Sequence, residues 1–229
     1  MYIHTLTNLR TRSEYLPTAS VSFTNSAMST GRSIPVKCRV VIFDMDGTLV
    51  RSNLDFDRIR QEIGLPNGPI LESMHAMTPD DRARTEAILA RHEAKAAAAS
   101  ELQPGAADVV AAVRAAGIPA VLMTRNSPRS LATFRERHGI EFDMTWTRTD
   151  GPMKPSPEPV IELCRRLDVD PRDAWVVGDF HFDILCGAAA GATTVLMLDG
   201  ETERPEWADE ADVVIRELNE LLTHLGIAP

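Results

Sequence analysis

From about residue 36 onward, short apolar runs of strand length alternate with longer stretches whose apolar positions recur at helical spacing. The run over residues 38–43 reads as a strand buried on both faces, the pattern of a parallel sheet. Residues 54–63 predict a short amphipathic helix closed by Gly64 and broken by Pro66-Asn67-Gly68-Pro69. Thr78-Pro79-Asp80-Asp81 is a helix start, with a capping hydroxyl, proline at the first helical position and acids in the first turn. That helix runs past Ile88 and Leu89 into the alanines at 96–99, and Pro104-Gly105 ends the stretch. Beyond it the pattern predicts helix 106–116, strand 120–123, a helix opened by Ser127-Pro128 and closed at Gly139, and a weak strand over 142–147. A loop over 151–157 leads to a helix capped by Ser156 with Pro157 at its first position. Strand 174–177, a helix stopping at Gly191, strands 194–198 and 213–215 and a closing helix over 217–225 complete the chain. Strands alternating with helices over this length predict an α/β fold with a mostly parallel sheet covered on both faces.

Two stretches depart from that alternation. Residues 53–103 are read as wholly helical, with no strand of their own, between two strands; about fifty residues is far longer than an ordinary connection. They are expected to form a cap over a site, dividing the core into 37–52 and 104–229. Phe56, Ile59, Ile63, Ile88 and Leu89 would be its core, and His75 and His92 would lie on its surface. Residues 1–36 are rich in Ser and Thr, carry arginines and almost no acid, and are expected to hold no packed fold. A disordered tail, or a start codon placed ahead of Met28, accounts for them more simply than an organelle leader.

Composition narrows the classes. A net charge of −9 without a basic stripe argues against nucleic acid as partner, and no apolar run reaches membrane-spanning length. Cys38, Cys164 and Cys186 form neither a pair nor a metal knuckle, which suits a reducing, cytoplasmic setting with each thiol as a small apolar side chain. Whether the chain is a monomer or a homodimer is not written in the sequence.

The chemistry gathers where strands end. The first strand stops at Asp44 and Asp46, whose side chains point the same way on extended backbone, and Gly47 then lets the chain turn. A polar turn would explain those residues alone. The second strand ends at Thr124, followed by Arg125 and Asn126, and another ends at Asp179, with Asp183 four residues on. Parallel strands place their carboxyl ends on one edge, so these groups can converge, and the loop carrying Lys154 reaches toward the same edge. Clustered acids call for a hard divalent cation, and Mg²⁺ with waters and phosphate oxygens fits. A lysine and a hydroxyl then supply donors to a phosphoryl group, and an aspartate can attack it.

In order and spacing, Asp44-Met45-Asp46-Gly47-Thr48, Val121-Leu122-Met123-Thr124, Lys154-Pro155-Ser156-Pro157 and Gly178-Asp179-Phe180-His181-Phe182-Asp183 resemble the four motifs of the haloacid dehalogenase superfamily. The closest likeness is to its phosphoglycolate-phosphatase-like branch, whose helical cap lies between the first two motifs. The resemblance implies a Rossmann-like three-layer α/β/α core and a Mg²⁺-dependent phosphatase acting on a small phosphorylated metabolite. It implies Asp44 as nucleophile and metal ligand, and Asp46 as general acid then base, its carbonyl touching the metal. Thr124 and Lys154 would hold the phosphoryl group, Asp179 would complete the metal shell, and Asp183 would orient Lys154 or a metal-bound water. Arg125 and Asn126 are candidate phosphate contacts or solvent-facing residues, and His181 is a helix-start residue. Phe180 stands where many relatives have a small residue. A phosphomutase of the β-phosphoglucomutase type would share every motif, and a catalytically silent binding protein on the same scaffold is a third reading.

Overall fold

The computed structural model describes residues 37–51, 54–200 and 203–228; the tail expected over 1–36 lies outside them. Six strands form one sheet in the order β5-β4-β1-β6-β7-β8, every neighbouring pair parallel. They are β1 (Val40–Phe43), β4 (Ala120–Met123), β5 (Met144–Trp146), β6 (Ala174–Gly178), β7 (Thr193–Met197) and β8 (Val213–Ile215). Among the five flanking helices are α4 (Ala106–Ala115), α5 (Pro128–His138) and α8 (Leu218–Leu225), which supply one apolar cluster with Val41 and Phe43 of β1. The other two, α6 (Glu158–Arg166) and α7 (His181–Ala190), supply a second cluster with Val40 and Ile42. Alternate side chains of β1 thus enter opposite layers, which is why its sequence is apolar at every position.

Capping chemistry sets several helix ends. Ser127 accepts the Ser130 amide at 3.3 Å to open α5, and Gly139 closes it in the left-handed conformation. The start of α6 falls one residue later than the sequence suggests, with Pro157 flanking the helix, although Ser156 Oγ still accepts the Glu158 amide at 3.3 Å. Cys164 and Cys186 lie in the second core cluster, and burial pushes the Cys186 thiol up to about 12, so it is a packed group and no nucleophile.

Among the described residues, three α-helices lie between β1 and α4: α1 (Phe56–Ile63), α2 (Ile70–Ser73) and α3 (Pro79–Ala99). Thr78 caps α3 by accepting the Asp81 amide at 3.2 Å. The expectation that this stretch holds no strand is corrected by a two-stranded stem, in which β2 (Val50–Arg51) pairs antiparallel with β3 (Glu101–Leu102). Two residues are too few to display an alternation, so only the return of the chain to its starting point reveals them. Ile59, Ile88 and Leu89 are buried in this insert with Ile63 packed against them, but Phe56 is 49% exposed and does not join its core. Phe56 is the first residue of α1, where a side chain can project outward. His75 is exposed, and His92 is half-buried beside Glu62 at 2.9 Å. Among the described residues no helix is long and apolar enough to cross a membrane.

The layered core makes a direct contrast on α6, where Leu163 is fully buried and Ile161 is 44% exposed. Leu163→Ala should cost about 2–5 kcal/mol in urea unfolding through lost burial and a residual cavity, and Ile161→Ala less than about 0.5 kcal/mol. Equal losses would contradict the assignment of α6's faces.

Candidate active site

The site is built on the turn that follows β1. The Asp44 amide donates to Val177 O at 2.8 Å, so the first acid leaves the sheet still paired to β6. The amides of Leu49 and Val50 both donate to Met45 O, at 2.9 and 3.0 Å, folding the chain back at once. Gly47 sits inside that turn at φ +86°, and a Cβ there would lie 2.0 Å from Asp179 Oδ2. Glycine is therefore required both by conformation and by the approach of the carboxylate. Thr48 Oγ1 donates to Asp179 Oδ1 at 3.1 Å, and Gln103 Nε2, just past β3, donates to Gly47 O at 3.2 Å. Neither Thr48 nor Gln103 was singled out as a site residue from the sequence.

Lys154 reaches this turn from the loop between β5 and α6. It is 4% exposed, and its ammonium donates to Asp44 Oδ1 in a short contact and to Asp183 Oδ1 at 2.6 Å. Asp183 lies in the first turn of α7, where its other oxygen accepts the Phe180 amide at 3.1 Å. A Cβ on Gly178 would stand 2.1 Å from the Asp183 Cγ, so that β6 residue also has to be glycine. Asp44, Asp179 and Asp183 each bring an oxygen within 4.8 Å of the others.

The cluster is electrostatically loaded. Burial pushes the Asp44 carboxyl up to about 7; Lys154 pulls against that rise and the Asp183 charge adds to it. Asp179 is raised well above the carboxylate range, first by burial and then by the charges of Asp44 and Asp183. For Lys154 burial acts downward, but Asp183 and Asp44 outweigh it and hold the ammonium above its ordinary value. Three oxygen ligands with one ammonium form a donor set that suits a hard divalent cation. The one glycine and one hydroxyl against Asp179 fix the direction in which its oxygens face.

The β4 end supplies the opposite wall. Thr124 is buried just beyond β4, and its Oγ1 accepts the Asn126 amide at 3.1 Å. Asn126 Nδ2 donates to Asp46 Oδ2 at 2.5 Å, so this side chain bears on the second acid. Arg125 turns to the helical insert, where Nη2 donates to both oxygens of Glu72 at 2.6 and 2.9 Å. His181 opens α7, pairs with Glu210 at 2.9 Å and stacks on Trp207, which accounts for it outside the acid cluster. Glu93 of α3 and Arg148 form a buried pair behind this wall, and Glu93 also accepts the Ser127 amide at 3.3 Å. Neither Glu93 nor Arg148 was singled out from the sequence, and only their meeting in space marks them.

Two openings flank the acids. Under α3 a cavity of about 10 Å³ beside Asp46, room for roughly one water, is lined by Leu54, Ala96, Ala97, Asn126 and Ser130. On the other side Asp179 borders a groove of about 360 Å³ with Gly47, Arg51, Gln103 and Asp199.

The haloacid dehalogenase-like hydrolase profile matches residues 71–191. A haloacid dehalogenase-like hydrolase domain-containing protein of Arabidopsis thaliana is 30% identical over 196 residues, spanning 79% of this chain and 78% of that one. The phosphoglycolate phosphatase of Chromobacterium violaceum is 26% identical over 212 residues, spanning 80% of this chain and 94% of the relative. In fold, a hydrolase from Pseudomonas syringae superposes with a TM-score of 0.70 at 19% identity, over 82% of this chain and 98% of its own. The match over half of the sequence agrees with the motif-bearing strand ends, and the chain belongs to the haloacid dehalogenase-like hydrolase family.

Proposed function

We propose that the chain is a Mg²⁺-dependent phosphatase that hydrolyses a small phosphomonoester through a phosphoryl group carried on Asp44. The observation that carries this reading is the lysine-bridged acid cluster: Lys154 joins Asp44 to Asp183, with Asp179 within 4.8 Å of both. The phosphoglycolate phosphatase relative supports the reaction class. The insert of α1, α2 and α3 serves in this reading as a cap over the site.

In this mechanism Asp44, Asp179 and the Asp46 carbonyl would hold the cation, which supplies charge neutralisation to the phosphoryl oxygens when bound. Thr124 Oγ1 and Lys154 Nζ orient those oxygens, and the Lys154 ammonium keeps Asp44 ionised for attack. Asp46 delivers a proton to the leaving oxygen as the bond breaks. Asn126 holds the Asp46 carboxyl in place from the β4 side. The deprotonated Asp46 then takes a proton from the water that cleaves the aspartyl phosphate and restores Asp44. Asp183 anchors Lys154 and needs no contact with substrate. The alanines at 96 and 97 and the small space beside Asp46 favour a compact leaving group.

Hydrolysis of p-nitrophenyl phosphate should require Mg²⁺ and should fall by at least about a thousandfold in Asp44→Asn, as expected for loss of a nucleophile. Asp46→Asn should turn over slowly while retaining a phosphorylated protein detectable by intact mass. Unchanged rates in Asp44→Asn would contradict the nucleophile, and full activity in Asp46→Asn would contradict the proton-transfer role.

The raised acids give a second expectation. Asp44 and Asp179 bind a proton more tightly folded than unfolded. Their contribution to stability is complete below the unfolded carboxylate value and, for Asp44, is lost as pH rises through about 7. Mg²⁺ would replace the departing protons. The thermal midpoint gain on replacing EDTA with Mg²⁺ should therefore be larger at pH 8 than at pH 5; an equal or smaller gain at pH 8 would contradict the assignment of the cation to these acids.

A further inference from the structure

We propose that Arg125 and Glu72 form a latch by which the cap grips the phosphate-binding loop, making Arg125 a positioning residue rather than a phosphate ligand. Its kinetic consequences rest on the phosphatase reading above. The Arg125 guanidinium is already spent on protein groups: Nη2 lies 2.6 and 2.9 Å from the two Glu72 oxygens, and Cζ stands 4.7 Å over the Phe182 ring. Phe182 meets Phe180 edge to face at 5.1 Å, so the guanidinium rests on an aromatic pair at the junction of β6 and α7, the segment that carries Asp179 and Asp183. Cation–ring contact holds the arginine on the core side whether or not Glu72 is present. Glu72 sits in α2, at one edge of the cap.

The cap has a second attachment of a different kind. Glu93 and Arg148 pair at 3% and 14% side-chain exposure, and Ser100 of the α3 end bonds His138 at 2.8 Å while its carbonyl accepts from Arg137 at 2.8 Å. Separating the Glu93–Arg148 pair would strand buried charge, so α3 stays fixed to the core. The Arg125–Glu72 pair has side chains 21% and 37% exposed, the range in which an ion pair is weak and can open and close. The cap therefore swings at its α2 edge about a fixed α3. Arg125 lies directly between Thr124, whose hydroxyl the phosphatase reading assigns to the phosphoryl group, and Asn126, which bears on Asp46. Closing the latch sets both neighbours through the shared backbone.

The test uses Glu72→Gln, Arg125→Gln, the double variant and the exchanged pair Glu72→Arg with Arg125→Glu, all in the full chain. With p-nitrophenyl phosphate and Mg²⁺, each single variant should raise KM about five- to tenfold with kcat within twofold. The double variant should be no worse than the weaker single one, and the exchanged pair should recover more than half of the loss. Amide hydrogen exchange over residues 70–76 should accelerate in either single variant and no further in the double, a readout independent of any phosphatase activity. Tighter binding in Glu72→Gln with weaker binding in Arg125→Gln would make Arg125 a direct ligand and overturn the proposal. So would unchanged exchange in both single variants, or additive losses in the double.

Discussion

The structure depends on a charge imbalance held out of water. Asp44, Asp179 and Asp183 converge within 4.8 Å of one another around a single ammonium, that of Lys154. At an effective dielectric constant of about 20, two unit charges at that distance repel by roughly 3.5 kcal/mol. That is a large fraction of the 5–15 kcal/mol that typically separates folded from unfolded protein. One lysine cannot offset three acids, so protons or a cation must complete the balance; burial first, and then the neighbouring acids, raise the Asp44 and Asp179 carboxyls. The surrounding chain maintains the arrangement. Gly47 and Gly178 remove the Cβ atoms that would collide with Asp179 and Asp183, and Thr48 pins the Asp179 carboxylate.

The sheet makes this crowding possible. With β1 between β4 and β6 and all three parallel, Asp44, Thr124 and Asp179 leave the same edge on adjacent strands. Right-handed crossovers leave a crevice there, because the connections depart in opposite directions from the central strand. The apolar layers bury Asp44, Lys154 and Asp183, which strengthens the charge interactions among them. Clustered carboxylate oxygens of this kind form a donor set compatible with a divalent cation. The helical insert, rooted on the two-residue stem of β2 and β3, meets the residues that follow β4 and β5 through Arg125–Glu72 and Glu93–Arg148.

Much of this was legible in the chain itself. Apolar runs that stop at polar residues identified β1, β4 and β6, because a strand buried on both faces is apolar at every position. Thr78 and Ser127 marked their helices through local hydrogen bonds to the third residue on, a relation contained within four positions. What escaped notice depends on distance in space. The β2–β3 stem joins residues about fifty apart in segments too short to show a period. Glu93 and Arg148 look like solvated charges until the fold buries them together. Phe56 has the spacing of a core residue, yet its place at the start of α1 leaves it exposed. Arg125 and Asn126 could not be told apart by neighbourhood to Thr124. Their side chains go to Glu72 and Asp46, partners that sequence separation conceals.

The central claim is that the buried acids form one cation site that exchanges protons for metal. Calorimetric titration of the metal-free chain with Mg²⁺ at pH 7, repeated in two buffers of different ionisation enthalpy, measures both stoichiometry and proton release. The account predicts a single site, net release of protons on binding, and loss of that binding in Asp179→Asn. Binding that releases no proton, or that survives Asp179→Asn unchanged, would contradict it.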